Sequence, residues 1–205
     1  MMLSGLPTFT QLRDVKTWMV QEPIQDPLAS DTLTKNSSAS KKYRTIFISD
    51  LHLGKIAHFR KHGMAIPEKA LFENFTRLNE VLSLFDSETI VFLGDLFHSK
   101  INNEWNFFAD WTKTVSQQII LIEGNHDIIS KKNYADLNIE IYEELIIDDF
   151  LLTHHPTTRE NFFNFCGHIH PGIDLRGFGG QSLKLPCFFQ KENQMILPAF
   201  GEFTG

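Results

Sequence analysis

Five short clusters of Asp, Asn and His side chains occur along the chain, and each directly follows an apolar segment. They are Asp50-Leu-His52, Gly94-Asp95-Leu-Phe-His98, Gly124-Asn125-His126-Asp127, His154-His155 and Gly167-His168-Ile-His170. Mixed nitrogen and oxygen ligands of this kind suit first-row cations such as Mn, Fe, Zn or Ni. Two such cations held roughly 3.5–4 Å apart can clamp the attacking and the leaving oxygen of a phosphoryl displacement. The clusters therefore predict a site for two metal ions.

The chemistry of such a site explains the residue types. A carboxylate must bridge the two cations to offset their repulsion, while imidazoles, an amide oxygen and a second carboxylate complete the ligand sets. A water between the cations has a lowered pKa and supplies hydroxide for in-line attack on a phosphate ester at neutral pH. Any one cluster alone is equally consistent with hydrogen-bonded core histidines and turn-forming aspartates. Five clusters, each after a predicted strand, favour the metal site.

The elements that must position these clusters follow an α/β pattern. Ligands collect at the carboxyl ends of strands in open α/β sheets, which is where the clusters stand. The order of elements indicates a mixed sheet, or two packed sheets, flanked by helices. Periodicity predicts helices over 67–85 and 103–116, strands over 43–49, 89–93, 118–123 and 162–166, two strands over 139–152, and a hairpin of 185–190 with 195–197.

Length and composition set further expectations. We expect residues 1–42 to form an N-terminal segment and polar linker, because prolines and a polar run interrupt it, and residues 43–205 to form one domain. No apolar run reaches the roughly 18 residues of a membrane span, and the first residues lack the pattern of a secretory signal. Two cysteines favour the cytoplasm. The formal charge of −6 argues against a dedicated nucleic-acid binder, although bound cations would make the local field positive.

From residue 43 to 203 the chain resembles the calcineurin-like metallophosphoesterase superfamily. Within it, DLHLGKIAHFR (50–60) and LPAFGEFTG (197–205) resemble the ligase-associated phosphoesterases of the PdeM type. The resemblance implies a four-layer αββα sandwich of two mixed β-sheets, and two divalent metal ions, with Mn expected and Fe, Zn or Ni as alternatives. It also implies DNA as the substrate, a role in DNA repair with an ATP-dependent DNA ligase and a helicase as partners, and no membrane.

The resemblance also implies a role for each metal-site residue. One metal would be held by Asp50, His52 and His170, and the other by Asn125, His154 and His168, with Asp95 bridging them. His154 is preferred to His155 because members of the superfamily use the histidine two places before a proline. The resemblance departs from the family pattern at two places: the polar segment 25–42 is longer than expected, and relatives continue through another strand beyond residue 205.

Two histidines are expected to act on the substrate. By the same resemblance, His126 would contact the phosphate and protonate the leaving oxygen or stabilise the transition state. His98 stands where SbcD-type nucleases place the histidine partner of His126, whereas phosphatases of the superfamily have an Asp-Arg pair there. Asp127 is expected to orient the turn. Lys55 and Arg60, in a basic cluster after the first motif, are candidates for binding substrate phosphates, with a solvated loop as the alternative.

Three functions remain open on the sequence alone. The first is a metal-dependent nuclease or phosphodiesterase acting on DNA. The second is a phosphodiesterase for small molecules, such as a cyclic nucleotide or a nucleotide-sugar lipid, which would act on small diesters and not on DNA. The third is a non-catalytic binding module of a ligase–helicase assembly, which the presence of every expected ligand disfavours.

Overall fold

The structure is a computed structural model that describes residues 8–11, 18–21, 44–56, 59, 63, 70–98, 100–177, 179–202 and 204. A six-stranded sheet has the order β1-β2-β3-β4-β5-β6, and a five-stranded sheet has the order β12-β13-β9-β8-β7. The first sheet comprises β1 (Thr8–Gln11), β2 (Trp18–Gln21), β3 (Thr45–Ile48), β4 (Thr89–Phe92), β5 (Gln118–Ile122) and β6 (Ile139–Tyr142). The second comprises β7 (Glu144–Ile147), β8 (Phe150–Thr153), β9 (Phe163–Cys166), β12 (Phe189–Lys191) and β13 (Gln194–Ile196).

The two sheets pack face to face through alternate residues of their strands. Phe47, Val91 and Ile120 of the first sheet belong to the same buried cluster as Leu152 and Phe165 of the second. Neighbouring residues such as Ile46 and Ile48 point to the opposite face of the first sheet, because side chains alternate along a strand. The sequence prediction of an α/β fold with packed sheets flanked by helices is therefore confirmed.

Three helices cover the outer face of the first sheet: α1 (Ala70–Leu84), α2 (Asn103–Thr112) and α3 (Lys131–Ala135). Leu78, Phe108 and Tyr134, one from each helix, lie in the cluster that packs against this face. The predicted apolar stripe of α1 is present, since Phe75 and Leu78 are buried. No helix among the described residues is long and apolar enough to span a membrane.

The region 139–152 differs from the sequence prediction. It contains three strands, β6, β7 and β8, where two were predicted, because the chain turns at Glu143 and crosses from the first sheet to the second. Neither Gly nor Pro marks this turn, so the sequence contains no signal for it. The turn that was predicted, at Asp148-Asp149, is present between β7 and β8, which pair antiparallel.

The predicted strand 185–190 is also divided in the structure. Its first part belongs to β11 (Ser182–Pro186), which pairs with β10 (Gly172–Arg176) in a separate two-stranded sheet. Its last part is β12, which forms the predicted hairpin with β13. Pro186, which has no backbone N–H to continue a ladder, stands at the division. The N-terminal residues, for which no strand was predicted, contribute β1 and β2, and β2 pairs with β3.

Candidate metal centre

The sheets bring the five clusters of the sequence to one place. Strands β3, β4 and β5 are parallel and adjacent, so the loops that follow them leave the same edge of the first sheet. Strands β8 and β9 are parallel neighbours in the second sheet and deliver the two remaining clusters. The backbone also joins the loops directly, because His52 N donates to Asp95 O (2.9 Å) and Gly167 N donates to His154 O (3.1 Å).

Three predicted ligands lie together as a first ligand group, Asp50, His52 and His170. His170 Nε2 is 3.0 Å from Asp50 Oδ1. His52 Nε2 is 3.9 Å from the same oxygen. Asp50 is fully buried and His52 is 5% exposed, so this group lies inside the protein. A cation could contact all three residues at once, since their ligand atoms are within 4.8 Å of one another.

The other three predicted ligands form a second ligand group, Asn125, His154 and His168. His154 Nε2 lies 3.1 Å from Asn125 Oδ1. It also lies 3.2 Å from His168 Nδ1. His154 is buried, His168 is half-buried and Asn125 is exposed, so this group opens to solvent.

Asp95 lies between the two groups. Its Oδ2 is 3.6 Å from His52 Nε2, and its Oδ1 is 3.5 Å from His154 Nε2. Each carboxylate oxygen therefore faces a different ligand group, which is the arrangement that a bridging ligand requires. Asp95 is only 2% exposed, and its Oδ1 also accepts a hydrogen bond from His126 N at 2.9 Å.

The backbone at five of these positions is left-handed. The φ angles are 52° at Asp50, 48° at His52, 52° at Asp95, 68° at His168 and 50° at His170. An L-residue in this region costs about 1–2 kcal/mol, a cost that Asn, Asp and His tolerate better than most residues. Concentration of such conformations at one place is typical of functional sites, where the surrounding structure holds them.

The glycines of the motifs have two different roles. Gly94 has a φ of 85°, which glycine adopts more easily than other residues in a sharp turn, and a Cβ there would lie 2.2 Å from His154 Nδ1. Gly124 and Gly167 do not have positive φ angles. A Cβ at Gly124 would lie 2.3 Å from Asp95 Oδ1, and one at Gly167 would lie 2.4 Å from Asp50 Oδ2. Glycine is therefore required at these two positions because a side chain would collide with the carboxylates, and not because the backbone has a positive φ.

His52 fits a metal ligand and little else. Both ring nitrogens are buried and have no hydrogen-bond partner among the described residues. Burial lowers the pKa of His52 to about 3, so the ring is neutral at physiological pH and one of its two nitrogens offers a lone pair. Because an unsatisfied buried polar group costs about 1–3 kcal/mol, a cation on this imidazole would remove a real cost.

His154 fits in the same way. Its Nδ1 donates to Leu93 O at 2.9 Å, which leaves the lone pair of Nε2 for a ligand when the ring is neutral. That lone pair faces the oxygens of Asn125 and Asp95. Three acceptors thus meet without a proton between them, and a cation is the partner that satisfies all of them. A second hydrogen bond that fixes the tautomer is the usual arrangement of metal-bound histidines.

The carboxyl group of Asp50 is kept ionised. Burial opposes its charge, but the imidazole of His170, together with His154 and the N–H of His168, holds the pKa of this carboxyl below its ordinary value. The His168 N–H donates to Asp50 Oδ2 at 2.9 Å, so the loop of one ligand group fixes a ligand of the other. Together with the lone pairs on His52 and His154, this donor set fits two divalent cations.

His126 and His98, the predicted catalytic pair, are adjacent. Their rings are stacked with centroids 5.1 Å apart and planes inclined by 26°. The ring of His126 also lies 5.4 Å from that of His52. Both are half-buried, so the pair borders the first ligand group while remaining open to a substrate.

Asp127 orients the loop that carries Asn125 and His126. Its Oδ2 accepts from Gly124 N at 2.9 Å and its Oδ1 accepts from Phe97 N at 3.1 Å, so it ties this loop to the loop of Asp95. Burial raises the pKa of Asp127 to about 6. The carboxylate is fully engaged with the backbone, in agreement with the expectation that it shapes the turn.

The two candidate phosphate-binding residues differ in what is known of them. Lys55 is half-buried beside the first ligand group, where burial lowers its pKa and Asp50 partly offsets that effect. Arg60 lies outside the described residues, as do His58, Lys61 and His62 of the same basic cluster.

Glu104 is a buried residue that the sequence analysis missed. It is 2% exposed, and its Oε2 accepts a hydrogen bond at 2.7 Å from Gly54 N, in the turn that follows His52. Its position in the first turn of α2 resembles that of any helix-capping acid, so the sequence offers no signal for this long-range contact.

The C-terminal motif supports the first ligand group. Phe200 N donates to Ser49 O (2.9 Å) and Gly201 N donates to Asp50 O (3.2 Å), so this segment holds the backbone that carries Asp50. Helix α1 holds the segment in turn. The Arg77 guanidinium lies 4.7 Å from the ring centroid of Phe200, and its Nη1 is 2.5 Å from Glu202 Oε1.

Comparison with known proteins identifies a family and two similar structures. The family model described as calcineurin-like phosphoesterase matches residues 43–182. The crystal structure of the nuclease MPE from Pseudomonas putida is similar, with 32% sequence identity over 79% of this chain and 77% of that chain and a TM-score of 0.67. A protein of unknown function from Aquifex aeolicus aligns with 23% identity over 62% of this chain and 78% of that chain, with a TM-score of 0.46. No curated protein matches significantly.

Proposed function

The chain belongs to the family of calcineurin-like phosphoesterases, and on that premise we propose that it is a binuclear phosphodiesterase that cleaves DNA. Membership makes it a hydrolase of phosphoester bonds that uses divalent metal ions. The observation that carries the proposal is the position of Asp95, which directs one oxygen at each ligand group. A family member that had lost its site would not be expected to retain this arrangement together with every other ligand.

The two ligand groups define where the cations belong. Asp50, His52 and His170 would hold one, Asn125, His154 and His168 the other, and Asp95 both. Bound there, divalent cations would act as Lewis acids on a phosphoryl oxygen and lower the pKa of a water at the site. We propose Mn, with Fe, Zn or Ni as alternatives, because mixed imidazole and carboxylate ligands suit all four.

The protein's own groups would handle the proton and the charge of the substrate. His126, half-buried beside His52, is placed to donate a proton to the leaving oxygen. The stacked ring of His98 would fix the orientation of His126, since it restricts the rotation of that ring. Lys55 would add a charge-assisted contact to a phosphate oxygen.

Substitution of Asp95 tests the mechanism most directly. Asp95→Ala is expected to abolish hydrolysis of bis-(p-nitrophenyl) phosphate at every metal concentration, because Asp95 directs one carboxylate oxygen at each ligand group. His126→Ala is expected to reduce kcat by about 10²–10⁴-fold, the usual contribution of a positioned acid, while metal binding measured by calorimetry is unchanged. Full activity of Asp95→Ala would end the proposal.

The assignment of DNA as the substrate has separate support. The similar structure from Pseudomonas putida is named a nuclease, and His98 occupies the place where phosphatases of the superfamily have an Asp-Arg pair. The test is an assay with labelled single-stranded and double-stranded DNA and with small diesters, across a metal series. Hydrolysis of small diesters without cleavage of any DNA would replace this proposal with a small-molecule phosphodiesterase.

Within the family we propose the PdeM type, and with it a role in DNA repair beside an ATP-dependent DNA ligase and a helicase. The support is the two longer stretches, 50–60 and 197–205. The second has a physical role, since its residues 200 and 201 hold the Ser49–Asp50 backbone. Co-purification of the tagged chain with a ligase and a helicase from its own cells, compared with an Asp95→Ala chain as a matched bait, tests these partners.

A further inference from the structure

We propose that His155 is an additional ligand of the cation held by the second ligand group, a role that rests on the proposed function and lies outside the ligand set that the family resemblance implies. The sequence analysis prefers His154 and treats His155 as its neighbour. The structure assigns both imidazoles to the same place.

The evidence begins with the direction of the two side chains. Consecutive residues of an extended chain point to opposite sides, so one of two adjacent histidines should face away from the site. Instead, the His154 and His155 rings have centroids 4.8 Å apart, and the His155 ring lies 4.1 Å from that of His168. The rings of three histidines therefore converge.

Two threonines produce this convergence. The hydroxyl of Thr153 donates to His155 O at 2.7 Å, and that of Thr157 donates to the same oxygen at 3.0 Å. Both bonds bend the chain just after β8, at residues 154 and 155, where the backbone leaves the extended conformation. The chain thus has a local device that turns His155 back toward the second ligand group.

The distances suit a common cation. One ligand atom each from His154, His155 and His168 lies within 4.8 Å of the others. Metal–imidazole bonds of roughly 2.0–2.1 Å nearly span that separation, and His155, which is exposed, can rotate to close the remainder. The second ligand group is open on this side, since Asn125 is exposed as well.

A third imidazole would change the chemistry of this position. Imidazole suits Zn, Fe and Ni, whereas Mn is better suited by carboxylate, carbonyl and water. The second ligand group would then prefer a cation that favours nitrogen ligands more strongly than the cation of the first group, where Asp50 supplies a carboxylate. His155 would also shield the open side of the cation from bulk water.

The experiment uses the full chain and Co²⁺ as a spectroscopic probe. Wild type, His155→Ala, the milder His155→Gln, and Thr158→Ala as an exposed control in the same loop are titrated by calorimetry and by visible absorption. We expect two binding events in the wild type. In both His155 variants one event should weaken about 10–100-fold, with stronger visible absorption because the coordination number falls, while the other event stays unchanged.

The outcomes separate this proposal from the proposed function. If both His155 variants bind Co²⁺ with the affinities and spectrum of the wild type and of Thr158→Ala, His155 is not a ligand, and the binuclear phosphodiesterase stands without it. If the wild type binds no cation and hydrolyses no diester, the proposed function fails and the role of His155 fails with it.

Discussion

The two ligand groups offer similar donor atoms in different surroundings. In the first, Asp50 and His52 are buried, and all three residues have left-handed backbone conformations. In the second, only His154 is buried and only His168 has such a conformation. The first group is therefore fixed largely by the backbone inside the protein, whereas in the second only His154 lies inside and the other two side chains lie nearer the surface. We therefore expect the position of the ligand atoms to depend mainly on the folded backbone in the first group, and more on the rotation of exposed side chains in the second.

Replacing one histidine in each group tests whether burial distinguishes the two ligand groups. His52→Leu should eliminate one metal-binding event, and it should leave the metal-free protein about 1–3 kcal/mol more stable than His168→Leu does. Both changes place Leu in a left-handed conformation, but only His52→Leu removes two unsatisfied buried nitrogens. His168→Leu should also eliminate one event but bring no gain, since His168 is half-buried. Chemical denaturation after chelator treatment measures the stability of the metal-free variants, and calorimetry measures the number of metal-binding events. Equal stability changes in the two variants would show that burial does not distinguish the groups.

A steric change tests the rigidity of the second group. Gly94→Ala places a Cβ 2.2 Å from His154 Nδ1 and also imposes a positive φ on alanine. We expect a loss of about 2–5 kcal/mol in unfolding free energy, the sum of overpacking and left-handed strain, and loss of one metal-binding event.

Gly177→Ala is the control for that change. A Cβ there would lie 3.1 Å from the flexible side-chain oxygen of Gln181 and 3.9 Å, an ordinary contact, from its backbone oxygen. This variant should keep wild-type metal affinity and lose less than about 1 kcal/mol, a typical limit for surface substitutions. If Gly94→Ala behaved like Gly177→Ala, the His154 ring would have room to move, and the idea of a fixed Nε2 would be wrong.

A smaller effect is expected from the support of the first group. Glu104→Ala leaves Gly54 N without its buried acceptor, which should cost about 1–3 kcal/mol and weaken the metal-binding event of the first group. Glu104→Gln keeps an acceptor and should recover most of the metal affinity. Glu73→Ala, an exposed acid in the first turn of α1, is the matched control. Unaltered metal affinity in Glu104→Ala would mean that the turn after His52 holds itself.

The sequence predicted much of the fold because its apolar runs form short buried strands, and the helices that flank these strands have a clear apolar stripe. It failed where the chain gives no turn signal. The turn at Glu143 lacks Gly and Pro, and β10 and β11 are exposed along their whole length, so no apolar alternation distinguishes an inward face. The strands β1 and β2 lie in the segment whose prolines and polar run indicated a linker, so no strand was predicted there.

The sequence alone was enough to name the candidate ligands, because Asp, Asn and His follow apolar strands and a parallel sheet brings the ends of its strands to one edge. The contacts between individual atoms of these ligands and their neighbours are visible in the tertiary structure alone. Asp95 contacts both groups, Gly124 and Gly167 leave space for carboxylates, and the His155 ring packs against that of His168. Each of these features depends on contacts between residues far apart in the chain or on a local bend that composition does not encode.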